Sequence, residues 1–231
     1  MNFQSAPSMT SEARPSTAAM AALLSQAFLW MFAGLLLTAG VTFVVQSNPA
    51  VMAAVGQYWF LAFFGQLALV WAIGLGIRRM SATLALGLFF VYAATLGFTM
   101  AVIVSFYTSA SVTAAFLSAS AMFGAAGAYG VVTKRSLAGI GGVLTIGIIG
   151  LIVASVINIF FASGTISWII SLVGVVIFTA LTAYDTQRIA SGALVARTGS
   201  VEKAAVLGAL SLYLDFVNLF LFLLRLFGNR R

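Results

Sequence analysis

Seven long apolar runs, at roughly 22–45, 59–77, 83–106, 112–132, 137–161, 166–183 and 204–227, leave this chain one broad choice of fold. A helix needs about 20 apolar residues to cross a hydrocarbon core. Only 6% of the 231 residues are charged, against about 25% in a soluble domain. The chain therefore reads as an all-α polytopic membrane protein with seven transmembrane helices and no separate soluble domain. Residues 1–20, rich in Ser, Ala, Thr and Pro, read as a flexible tail ahead of a seven-helix domain over 21–231. Short connections predict antiparallel neighbours.

Loop charge orients the set. Arg14, Arg78 with Arg79, Lys134 with Arg135, and Arg188, Arg197 and Lys203 all fall on one side of the alternating spans. The loops at about 46–58, 107–111 and 162–165 carry no charge. The basic side, and the N-terminus with it, is expected in the cytoplasm of a cell whose inner (plasma) membrane holds the protein. Seven full spans then put Arg230 and Arg231 outside, against the rule; a re-entrant last segment would return them. The length of the final run favours seven spans. The net charge of +7 is thus explained by topology, and nucleic acid is not an expected partner. The lipid bilayer is.

The polar inventory is short. There is no Cys and no His, which removes thiol chemistry, disulfides, structural zinc and the usual physiological-pH titrator. The four acids are Glu12, Asp185, Glu202 and Asp215. Asp215 stands within the last apolar run, where a carboxylate costs at least ~2.5 kcal/mol unless something meets it. Ser211, Asp215, Asn218 and Arg225 fall on one helical stripe, which should face protein or a wet cavity. Asp185 closes the sixth run; it is either a solvated helix-end residue or, if that helix continues to about Ile189, a neighbour of Asp215. Two carboxylates in contact cannot both ionise cheaply, so such a pair would share a proton and titrate as a unit. Arg78, Arg79 and Arg225 are the cations considered for neutralising it. The many glycines between Gly124 and Gly150 read as helix-packing sites.

The stretches AYDTQRI at 183–189 and ALSLYLDFVNLFLFLLRLFG at 209–228 resemble the bacterial branch of the Bax inhibitor-1 family. Arg79-Met80-Ser81, Tyr92-Ala93-Ala94 and Gly97-Phe98-Thr99 extend the likeness. The resemblance implies six helices wrapped around a central C-terminal helix and a pH-sensitive calcium leak. It makes Asp185 and Asp215 the paired pore aspartates, serving as pH sensor, ion pathway and transient Ca²⁺ ligands. It also implies an arginine latch: Arg225 matches an arginine of the last helix, and Gln66 stands where many members have its glutamate partner. A second family arginine falls at Gly76, Arg78 or Arg79.

Function follows from the two aspartates. A passive cation leak uses them as the one acidic oxygen cluster within the membrane, suited to a hard cation such as Ca²⁺. No resident cofactor is expected, since Ca²⁺ and protons are cargo. A proton-coupled exchanger would use the same pair. An intramembrane aspartyl protease would need Gly-x-Gly-Asp, and Leu212-Tyr213-Leu214 precede Asp215; the chain is not expected to be an enzyme. A non-conducting regulator of membrane proteolysis or cell-death factors, acting through a membrane-protein partner, is the remaining class.

Overall fold

The computed structural model describes residues 17–229. Most of the expected tail, with Glu12 and Arg14, lies outside the described residues, as do Arg230 and Arg231. Among the described residues the regular structure is helical. The elements are α1 (Thr17–Gln46), α2 (Pro49–Gly76), α3 (Ala82–Ser105), α4 (Ser109–Val132), α5 (Gly141–Phe161), α6 (Gly164–Ala190), α7 (Ala193–Thr198) and α8 (Val201–Phe227). A 3₁₀ turn, Ala138–Ile140, precedes α5. All but α7 are long and apolar enough to cross a membrane.

Three boundaries differ from the sequence expectation, each for a local reason. The first helix takes in Thr17–Met20, because the Ala-rich TAAMAA start has high helix propensity. The second begins at Pro49 rather than near Trp59. Asn48 caps it, its Oδ1 accepting from the Ala50 and Val51 amides at 3.1 and 3.3 Å, and Pro49 supplies a preset φ at the first position. The expected loop at 46–58 thus shrinks to Ser47 and Asn48. The third difference carries function: α6 runs through Asp185 to Ala190, so most of the expected 184–203 loop is helix. Gly192 and Gly199, at φ 74° and 77°, then make the left-handed turns that bracket α7.

The last helix is the axis of the bundle. It packs against α1, α3, α4, α6 and α7, and Leu212, Tyr213 and Leu219 on it are fully buried. Phe89 and Tyr92 of α3 meet the Tyr213 ring edge-on at 5.5 and 5.8 Å. Phe116 and Phe123 of α4 do the same to Phe216. The aromatic residues of this span therefore divide: Tyr213 and Phe216 pack, whereas Phe227 is exposed. Not all six long partners touch the axis equally. The α2 helix packs on α3 and, less, on α1; α5 packs on α6. Both sit in an outer row and turn bulky side chains such as Leu61 and Phe160 outward, as a surface solvated by lipid tails should.

The glycines expected to pack also divide. At Gly130 a side chain would run into the backbone carbonyl of Ala183, so α4 and α6 touch main chain to main chain there. At Gly141 it would strike the Tyr184 ring. Gly124, Gly139, Gly142 and Gly150 face open space.

Candidate functional site

Because α6 continues to Ala190, it carries Asp185 alongside α8, and both aspartates are buried: Asp185 is 9% and Asp215 4% exposed. They lie near enough that a charge on one acts directly on the other. Asp215 Oδ2 is wholly enclosed without a hydrogen-bond partner among the described residues. So is the hydroxyl of Thr186, the residue after Asp185, which α4 passes at Gly127. Buried polar atoms are nearly always paired. The unpaired Asp215 oxygen, with Asp185 near it, makes a place that can take a proton or an oxygen-seeking cation.

The cation that answers Asp185 is not one of those singled out in the sequence. Arg188 Nη1 stands 3.5 Å from Asp185 Oδ1, one helical turn along, and Arg197 of α7 is within electrostatic reach. The signal was the i, i+3 spacing of Asp185 and Arg188, legible only once α6 is known to continue. Arg78 and Arg79 are exposed and line a groove on the outer face of α2 with Trp71 and Leu75. Arg225 is exposed at the opposite end of the bundle, its guanidinium 6.0 Å from the Phe222 ring centroid. Asn218, expected on the polar stripe, donates to its own helix at the Leu214 carbonyl, 2.8 Å away.

The structure does not bring Gln66 and Arg225 together. Gln66 is buried against α3, where Nε2 donates to the Thr95 carbonyl at 2.9 Å and to Thr99 Oγ1 at 2.7 Å. The amide serves α2–α3 packing, so the implied latch is not formed. Gln66→Glu would place an acceptor against the Thr95 carbonyl. We expect it to cost about 1–3 kcal/mol, the usual penalty for an unsatisfied buried group, read as a lower melting temperature. A slowed cation flux with unchanged melting would instead mean that residue 66 does reach Arg225.

A different contact ties α8 to α1. The Tyr213 hydroxyl and Thr38 Oγ1 share a hydrogen bond at 2.5 Å, and Thr38 Oγ1 also lies in donating reach of the Ala93 and Gly34 carbonyls at 2.8 and 3.0 Å. This contact sits at the foot of a crevice entering from the end of the bundle whose loops are uncharged. The outer part, about 470 Å³, is lined by Gln46, Ser105, Tyr107 and Ser109. The inner part, about 360 Å³, runs past Thr42 to Thr38, Phe216 and Val217. Gln46, Val104, Val112 and Thr113 line both. Thr38, Thr42 and Gln46 recur every four residues on one face of α1. That period was readable in the sequence, but threonines in an apolar helix are usually silent, bonding back to their own carbonyls.

Among the described residues no three acidic, His or Cys side chains gather as a metal cage.

The sequence model of the family described as "Inhibitor of apoptosis-promoting Bax1" matches residues 20–231. The inner membrane protein YbhL of Escherichia coli is 41% identical over 214 residues, covering 90% of this chain and 92% of that one. An uncharacterized protein of Deinococcus radiodurans is 39% identical over 209 residues, 90% of each chain. YrjE of Lactococcus lactis, also uncharacterized, is 41% identical over 214 residues and 90% of each. With seven long apolar helices around a buried aspartate and a family match over nearly its whole length, this chain is a membrane protein of the Bax inhibitor-1 family.

Proposed function

We propose that the protein is a passive cation leak of the inner membrane, Ca²⁺ foremost, held closed by a proton that Asp185 and Asp215 share. The observation that carries the reading is the enclosed, unpartnered Oδ2 of Asp215 on the central helix, with a second carboxylate close by. The inner-membrane assignment follows the name of the E. coli relative. Loop charge sets the orientation: the Arg78, Lys134 and Arg188 end faces the cytoplasm, and the crevice opens outside. An entering cation passes the Gln46 and Thr42 oxygens and reaches Thr38 and Tyr213, the latter two residues along α8 from Asp215. Loss of the shared proton leaves two buried anions near each other, which pushes α6 from α8 or draws a cation between them.

Purified protein in liposomes loaded with a calcium dye tests this. Leak is expected to rise with pH and to need no counter-moving proton. A fixed ratio of protons to Ca²⁺ would overturn the leak in favour of exchange, and no flux at any pH would overturn conduction altogether.

A further inference from the structure

The basic end of the bundle holds a cavity that neither the fold nor the aspartate pair requires. The turn after α4 brings Lys134, Arg135 and Ser136 against Tyr184 and Arg188 of α6 and Ser191 beyond it, around about 450 Å³. Three cations and three hydroxyls line it, and no carboxylate does. Lys134 and Arg135 are exposed and make no ion pair among the described residues. Their backbone is fixed nonetheless. Gln187 Oε1 accepts from the Leu137 amide at 2.7 Å, and its Nε2 donates to the Arg135 carbonyl at 2.9 Å. One α6 side chain thereby pins the turn that presents both cations. A preformed cluster of positive charge with hydroxyl donors is suited to a phosphate.

The surroundings decide which phosphate. The cavity lies at the end of α4, where Val131 and Val132 are exposed, and beside the start of α5, where Ile140 and Val143 are exposed. A ligand with an anionic head and apolar tails matches both surfaces, whereas a free anion matches only the head. Basic pockets between helices on the cytoplasmic side are places where anionic lipid headgroups dock. We propose that this cavity binds the phosphate of an anionic phospholipid of the cytoplasmic leaflet, with Lys134, Arg135 and Arg188 as its ligands. Arg188 then has two acceptors, the phosphate and Asp185 Oδ1. A bound lipid competes for the guanidinium and so acts on the aspartate pair. That last consequence rests on the proposed function; the binding does not.

Native mass spectrometry of the full chain, released from micelles mixed with phosphatidylglycerol and phosphatidylcholine, reads binding without reference to conduction. The wild type should retain one phosphatidylglycerol in preference to phosphatidylcholine. Each of Lys134→Gln and Arg135→Gln should lower retention about fivefold, the effect of about one kcal/mol per basic residue, and the double variant should abolish the preference. Arg78→Gln with Arg79→Gln, at the same end but another groove, should leave it intact. Equal retention in wild type and the Lys134 and Arg135 variants overturns the proposal. So does equal loss in the Arg78 and Arg79 variant, which would mean that only the charge of that end matters. Binding of millimolar inorganic phosphate with no retention of phosphatidylglycerol would assign the cavity to a free anion and overturn the lipid. The single variants keep the test open should the double variant not fold.

Discussion

Replacing Asp215 with Asn is expected to flatten the pH dependence of Ca²⁺ leak in liposomes. Two like charges 4 Å apart repel by about 4 kcal/mol at an effective dielectric of 20, and a few kcal/mol moves a two-state bundle far from one end toward the other. In the wild type this repulsion appears when the shared proton leaves, so leak is low in acid and rises with pH. The asparagine keeps the shape and cannot acquire the charge. The response across two pH units should shrink to less than about twofold. Asp185→Asn should do the same if the pair acts as one unit, and it also frees Arg188 from its 3.5 Å contact. A steep response surviving in both single variants would sink the sensor, since the remaining acids, Glu12 and Glu202, lie outside the apolar runs.

The second large effect is on the fold. Gly130→Leu would drive a side chain into the Ala183 carbonyl, and backbone cannot swing aside as a long side chain can. Overpacking of this kind costs about 3 kcal/mol or more. For a chain of this size that is a fall in melting temperature of roughly 6–12 °C. Gly124→Leu, six residues earlier on the same helix, adds a Cβ that meets nothing within 4 Å. It should leave melting unchanged or raise it slightly, because it removes a mid-helix glycine worth about 0.5–1 kcal/mol. Equal melting of the two variants would mean that α4 and α6 are not in main-chain contact at Gly130.

The two variants also show what a sequence can and cannot display. Both glycines lie in one apolar run and look alike in it; only the position of α6 separates them. The seven spans and the carboxylate in the last one were legible because apolar length and a charge in lipid are strong one-dimensional signals. The central place of α8 was implied by the family resemblance rather than by periodicity. Arg188 escaped because the end of α6 is polar and reads as loop, so an i, i+3 pair across that boundary carried no meaning. Gln66 was read by analogy with a glutamate, yet its amide donates to Thr95 and Thr99, a contact that depends on which face α2 turns to α3. Thr38 and Tyr213 meet across 175 residues, a separation that no local pattern spans.

The axis of this bundle, α8, comes after the other six spanning helices in chain order. When α8 is still unmade, α1 can already pack on α3 and α4 on α6, but the faces these pairs turn to α8 have no partner. Tyr92, Thr38 and Asp185 then face lipid or one another rather than their final neighbours. The core is therefore completed only when α8 is in place. A chain that loses α8 loses the element on which α1, α3, α4 and α6 converge, whereas α2 and α5, in the outer row, are the spans whose absence the core would feel least.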